Sequence, residues 1–258
     1  MRNILLSVSY DGTDFCGWQR QDGGANGKPL RTVQAEMEKA LLKVHKSAVS
    51  LHGSGRTDSG VHARAQAAHF FSPIDSIPVK NYVFALNSFL PRDVRVNAAR
   101  EVPLDFDARF SATSRTYRYF FCCSESQFAS ESRFSWHIKR FPDIKRLNEM
   151  ASVLSGELDC ASFAAAGDAS ISTNRFIDYA HFYPEGEKLI FEIRANAFLW
   201  KMVRTLAGTL LQLEKRGATK AEFQKILESR NRKNAGVTAP PEGLFLWSVE
   251  FDGVRRHP

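Results

Sequence analysis

Apolar positions dominate residues 3–10, in the run Asn-Ile-Leu-Leu-Ser-Val-Ser-Tyr, and stop at Asp11-Gly12. This predicts a first strand closed by a turn. Val33, Met37, Leu41, Leu42 and Val44 then recur at helical spacing behind Thr32, a residue suited to cap a helix N-terminus, with Glu36 close by. Short strands are predicted near Ala48–Leu51 and around Ala65–Phe71. A helix is predicted over Val79–Leu90, bounded by Pro78 and Pro91, and a strand over Val94–Val102. Thr113–Cys122 is rich in Thr, Tyr and Phe and reads as a strand. Asp143 opens a helix that runs to Ser155-Gly156. Phe176–Tyr183 and Leu189–Arg194 read as strands around the turn Pro184-Glu185-Gly186. Helical spacing returns at Phe198, Leu199, Met202, Val203, Leu206 and Leu210, a shorter helix follows at Ala221–Ser229, and Leu244–Phe251 reads as a last strand.

This mixture has no fixed-period repeat and predicts an α+β fold: two α/β domains around a mixed, largely antiparallel sheet. The division falls near residue 104, giving domains 1–104 and 105–258. Gln21–Lys28, polar and Gly-rich, is expected to be a surface loop.

Composition adds one constraint. The chain has 258 residues, with Lys+Arg 35 against Asp+Glu 28, a formal net charge of +7. That balance favours a polyanionic partner such as nucleic acid. No run of about 18 apolar residues predicts a membrane span, and the N-terminal segment reads as a strand and not as a signal peptide. Cys16, Cys122, Cys123 and Cys160 lack C-x-x-C spacing and a nearby His pair. They are expected to be reduced thiols of a cytoplasmic protein, with no metal site. Between 200 and 235 the bases Lys201, Arg204, Lys215, Arg216, Lys220, Lys225, Arg230, Arg232 and Lys233 outnumber Glu214, Glu222 and Glu228. This run is either a solvated helix face or a set of phosphate contacts.

The most unusual stretch is Ser54–Ala63, SGRTDSGVHA, in which Gly55 and Gly60, with Gly53 just before them, surround Arg56 and Asp58. Clustered glycines permit backbone shapes closed to other residues, which predicts a shaped loop. Asp58 either does chemistry there or forms an Asx-type turn. The Walker spacing is absent, so this is not a nucleotide phosphate loop.

Six blocks in order carry a resemblance. YDGTDFCGWQRQ (Tyr10–Gln21), RTVQAEMEKAL (Arg31–Leu41), SGRTDSGVHARAQAAHF (Ser54–Phe70), DARFSATSRTYRY (Asp107–Tyr119), NAFLWKMVR (Asn196–Arg204) and APPEGLFL (Ala239–Leu246) resemble the tRNA pseudouridine synthase A (TruA) family. The resemblance implies isomerisation of uridine to pseudouridine at nucleotides 38, 39 and 40 of the tRNA anticodon stem-loop. It also implies a pseudouridine synthase fold with an active-site cleft between the domains, a homodimer, and no cofactor.

By the same resemblance, Asp58 is the catalytic aspartate. A carboxylate suits a reaction that breaks the N-glycosidic bond, turns the uracil and joins its C5 to C1′. It can act as nucleophile or base and can stabilise positive charge on the sugar. An ionised Asp in a water-poor cleft needs a cationic partner, which the resemblance assigns to Arg204. Tyr117 matches the active-site tyrosine, whose ring can stack on the extruded base. Leu244 matches an apolar residue on the base's other side, and Arg56 matches a residue that assists flipping. From the residues alone, Arg204 reads as a solvent-facing charge, Tyr117 as strand packing and Leu244 as the start of a core strand.

The chain departs from the family at Ser54 and Ser59, usually Ala, and at Trp200-Lys201, often His or Tyr. It departs further in Ser162–Phe176, where Ala164 stands in place of an Arg and Ser172-Thr173-Asn174-Arg175 in place of an S-R-T-P-like run. Two other readings compete. An inactive RNA-binding relative would keep the basic surface but should have lost the set Asp58, Arg204 and Tyr117, all of which this chain retains. A hydrolase with paired carboxylates needs a second acid that the loop does not supply.

Overall fold

The computed structural model describes residues 1–23, 29–254 and 256. Of the loop expected at Gln21–Lys28, positions 24–28 lie outside the described residues. Along the chain run β1 (Arg2–Tyr10), α1 (Val33–His45), β2 (His52–Gly53), β3 (His62–Ser72), α2 (Asn81–Asn87) and β4 (Val94–Val102). They are followed by β5 (Ser114–Cys122), β6 (Trp136–His137), α3 (Ile144–Ala151), β7 (Gly156–Asp159), β8 (Asn174–Glu185) and β9 (Lys188–Ala195). The last elements are α4 (Met202–Lys215), α5 (Lys220–Glu228) and β10 (Leu244–Glu250). The chain groups into two compact units, one of Met1–Ala112 with Leu246–Asp252, the other of Thr113–Phe245 with the segment from Gly253.

In the first unit β1 lies between β3 and β4, antiparallel to both, with Leu6 opposite Ala68 and Ala99. Ile4, Leu6 and Val8 are fully buried, as are Met37 and Leu41 of α1 and Tyr82 and Leu86 of α2. Leu5 points to the other face, where Ala67 and Ala108 join it and Val102, Phe106, Val249 and Phe251 pack over them. Burial on both faces explains why β1 reads as a nearly continuous apolar run.

Thr32 caps α1 as its sequence predicts, accepting from the Ala35 N–H at 3.4 Å. The strand expected at Ala48–Leu51 is instead the two residues His52–Gly53, paired with His69 and Ala68. The helix expected over Val79–Leu90 is trimmed to α2 because its flanks close as single turns, with Asn81 N–H on the Pro78 carbonyl and Leu90 N–H on the Leu86 carbonyl.

In the second unit β9 lies between β5 and β8, antiparallel to both, with Phe191 opposite Tyr119 and Phe182. Tyr119, Phe121, Phe182 and Phe191 form a chain of rings 4.6–6.4 Å apart. β7 pairs with β8 antiparallel, and β6 pairs with β5 in parallel. The fold is therefore α+β with mixed, largely antiparallel strands, as expected. Asp143 caps α3, accepting from the Arg146 N–H at 3.0 Å. The helix ends at Ala151 and not at Ser155, and Gly156, at φ +84°, opens β7.

All four cysteines are free, with Cys16 exposed and Cys122, Cys123 and Cys160 buried. Burial pushes the Cys123 thiol up to about 11 and the Cys160 thiol up to about 12. The thiolate is the reactive species, so a thiol reagent at neutral pH should modify one group rapidly in the native chain and all four in denaturant. A second fast equivalent in the native state would contradict this burial. Among the described residues no helix is long and apolar enough to cross a membrane.

Candidate functional site

The loop carrying Asp58 is held from outside by the block Tyr10–Gln21. The Trp18 N–H donates to the Thr57 carbonyl at 3.1 Å, and the Gly60 N–H and Ser59 hydroxyl both donate to the Phe15 carbonyl, at 3.3 and 3.1 Å. The Tyr10 and Thr57 hydroxyls meet at 2.8 Å in a buried bond. From β3, the Gln66 amide accepts from the Ser54 hydroxyl at 2.7 Å and donates to the Gly55 carbonyl at 3.1 Å. The loop closes on itself through the Val61 N–H and the Asp58 carbonyl, 3.2 Å apart, with Gly60 at φ +77°. Thr57 is buried, Asp58 half-buried and Arg56 exposed. Bonds to main-chain groups thus hold the loop on both sides of Asp58.

Gly17 is the close approach in this arrangement. It sits at φ +95°, and a Cβ there would fall 2.7 Å from the Thr57 carbonyl oxygen and 3.3 Å from the Asp58 carbonyl carbon. Main-chain atoms cannot yield as a flexible side-chain end can. Gly17→Ala should therefore destabilise the chain by about 1–2 kcal/mol from the positive φ alone and displace the loop. Thermal unfolding and activity should fall together, and a variant with native melting temperature and rate would refute the contact.

Arg56 is tethered through its Nε to the Gln19 side-chain oxygen at 3.1 Å. Gln19 donates to Gln34 at 2.7 Å, and Gln34 reaches the Leu51 carbonyl at 2.9 Å. Sequence reasoning missed Tyr10, Gln19, Gln34 and Gln66 as supports. Their blocks were visible, but the partners lie far along the chain.

In the second unit, Tyr117 and Tyr119 alternate on one face of β5 and part in role. Tyr119 is fully buried and its hydroxyl donates to the Pro240 carbonyl at 2.8 Å. Burial, the largest influence, raises its pKa. Tyr117 is half-buried, with its ring edge-on to Phe198 at 5.1 Å. Phe198 belongs to the segment that leads into α4, and its place beside Tyr117 was not legible in the sequence.

Arg204 lies in the first turn of α4, and its Nε donates to the Ala239 carbonyl at 2.7 Å while the Ala239 N–H donates to the Arg204 carbonyl at 3.0 Å. A second tie joins the Gly236 N–H to the Thr209 hydroxyl at 2.9 Å. The blocks NAFLWKMVR and APPEGLFL are thereby fastened together. A solvent-facing reading of Arg204 does not fit a guanidinium engaged this way. Leu244, 6% exposed, is the first residue of β10, so its core-strand reading holds.

Part of the basic run is occupied internally. Arg216 pairs with Glu222 at 3.2 Å, Arg230 with Asp159 at 3.0 Å, and Arg232 donates to the Gly236 carbonyl and Thr238 hydroxyl, both at 3.0 Å. Lys215, Lys220, Lys225 and Lys233 are exposed. Among the described residues, no group of three or more His, Cys, Asp or Glu side chains could hold a metal ion.

Residues 6–111 and 150–252 match the family described as tRNA pseudouridine synthase. The chain belongs to that family. Membership makes it an isomerase. Arg56, Asp58, Arg204 and Leu244 fall inside the matched residues, and Tyr117 falls between them. The tRNA pseudouridine synthase A of Treponema denticola is 58% identical over 250 residues, 97% of this chain and 93% of that protein. The protein of that name from Treponema pallidum is 50% identical, covering 96% of this chain and 87% of its own length. Its namesake from Bacillus pumilus is 42% identical, covering 96% and 99%.

Proposed function

We propose that this chain converts uridine to pseudouridine in tRNA, at nucleotides 38, 39 and 40 of the anticodon stem-loop, with Asp58 as its catalytic carboxylate. The observation that carries the reading is the Ser54–Gly60 loop, whose main chain is pinned by Phe15, Trp18 and Gln66 and which presents a half-buried Asp58.

In the proposed reaction the C1′–N1 bond breaks, the uracil turns, C5 bonds to C1′ and the C5 proton leaves. Asp58 acts on the ribose or stabilises its positive charge. The nucleotide must leave its stack, which costs a few kcal/mol. Tyr117 and Leu244 offset part of that by packing on the base, and Arg56 assists extrusion from its tether on Gln19. Arg204 brings positive charge to the reacting nucleotide from the first turn of α4. Exposed lysines of the basic run contact phosphates without reading sequence. The enzyme acts in the cytoplasm as a homodimer and needs neither metal nor cofactor.

The test is incubation of unmodified tRNA transcripts with the protein and its Asp58→Ala variant, followed by carbodiimide labelling and primer extension. Stops at nucleotides 38–40 that vanish with the variant are expected. Stops elsewhere would move the site, and tight salt-sensitive binding without any stop would favour an inactive RNA-binding relative.

A further inference from the structure

The structure fixes a large aromatic side chain at the surface just ahead of Arg204. Trp200 is 45% exposed, in a chain whose Trp18 is 2% exposed. Its main chain is anchored on both sides. The Trp200 carbonyl accepts from the Ala165 N–H at 2.9 Å, and its N–H donates to the Asp168 carboxylate. Asp168 is itself locked: its other oxygen accepts from the Ser170 N–H at 2.8 Å, and its N–H donates to the Ala165 carbonyl at 3.1 Å. Gly167, at φ +85°, turns the loop tightly enough that a Cβ there would stand 3.8 Å from Cζ3 of the indole. Beneath this loop the buried Arg175 ties the Ser172 and Asn174 carbonyls together.

Lys201 completes the arrangement. It holds a left-handed conformation, φ +59°, at the N-cap of α4, and its ammonium lies 4.6 Å from the centroid of the Trp200 ring. Non-glycine residues avoid this conformation, and it persists where the surroundings impose it. An exposed aromatic ring beside a cation is the pairing that binds single-stranded nucleic acid, the ring taking a base face and the cation its phosphate. Stacking of this kind tolerates any base, since each has a π-face.

We infer that Trp200 and Lys201 form a stacking platform for an unpaired base of the RNA substrate, next to the nucleotide that Arg204 serves. This rests on the tRNA reading above and adds a substrate-binding residue pair to it. Trp200 offers its ring to the base, and Lys201 swings from its place over that ring to the phosphate of the same nucleotide.

The test compares wild type with W200F, W200L and K201A, using an anticodon stem-loop transcript as probe. W200L keeps apolar bulk but has no π-face, and is expected to raise KM about tenfold, while W200F restores most of the loss. K201A should reduce the slope of log Kd against log salt by about one contact. Wild-type tryptophan fluorescence should be quenched on RNA binding, with a share of the quench absent in W200F. Equal KM for W200L and wild type, or equal impairment of W200F and W200L, would overturn the platform, the second outcome marking a packing role. Unaltered quenching in W200F would overturn it too, even where W200L fails to fold. If wild type forms no pseudouridine, the tRNA reading fails on its own, and quenching by the same transcript still decides the platform.

Discussion

Asp58→Asn should lower the rate of pseudouridine formation by about 10³-fold or more while tRNA affinity changes by no more than about threefold. The substitution keeps the shape of the side chain and removes the charge that a nucleophile, base or electrostatic stabiliser requires. The loop itself should survive. Its bonds run from Trp18 N–H to the Thr57 carbonyl, from Gly60 N–H to the Phe15 carbonyl and from Gln66 to Gly55, and none of them uses the Asp58 carboxylate. Affinity should survive as well, because phosphate contacts supply most of the binding to a polyanion. Single-turnover rates and filter binding on one transcript measure both quantities. Near-normal turnover by the variant would remove Asp58 from the chemistry, whereas loss of binding and turnover together would point to a displaced loop.

Arg204→Ala should reduce kcat/KM by about 10²-fold, the scale for removing one cationic or hydrogen-bonding group from a transition state. Loss of its bond to the Ala239 carbonyl should contribute about 1 kcal/mol to the stability cost. The bond from Ala239 N–H to the Arg204 carbonyl belongs to the main chain and remains. The asymmetry between a small change in melting temperature and a large change in rate is the diagnostic outcome. Arg204→Lys tests the geometry further, since an ammonium lacks the planar fork of donors through which Nε holds Ala239. It should recover stability better than rate. An Arg that only decorated a helix face would cost about 0.5 kcal/mol or less and leave kinetics unchanged.

Regular elements were legible wherever the local pattern was long. β4 spans Val94–Val102 as expected, and β5 begins one residue later than expected. α1 starts behind Thr32 because the cap is written in the residues themselves. Short pieces were not legible. β2 and β6 have two residues each and β7 four, and a strand of that length exists only through its partner's hydrogen bonds. α4 begins at Met202 although helical spacing starts at Phe198, because Lys201 adopts a left-handed conformation that ends the preceding turn. Apolar spacing carries no information about that dihedral.

The candidate site divides the same way. The residue types at Arg56, Asp58, Tyr117, Arg204 and Leu244 and the order of the six blocks around them stand in the sequence alone, and they sufficed for the family and for the class of chemistry. Tertiary structure alone decided that Gly17 abuts the main chain of Asp58, that Tyr119 gives its hydroxyl to Pro240 while Tyr117 meets Phe198, and that Leu246–Asp252 groups with the first unit. It also decided that Trp200 stands exposed on a main chain bonded to Ala165 and Asp168. These are contacts between residues tens to hundreds of positions apart. Periodicity and capping report only what a residue does with neighbours a few positions away, so the sequence named the chemistry and folding supplied its supports.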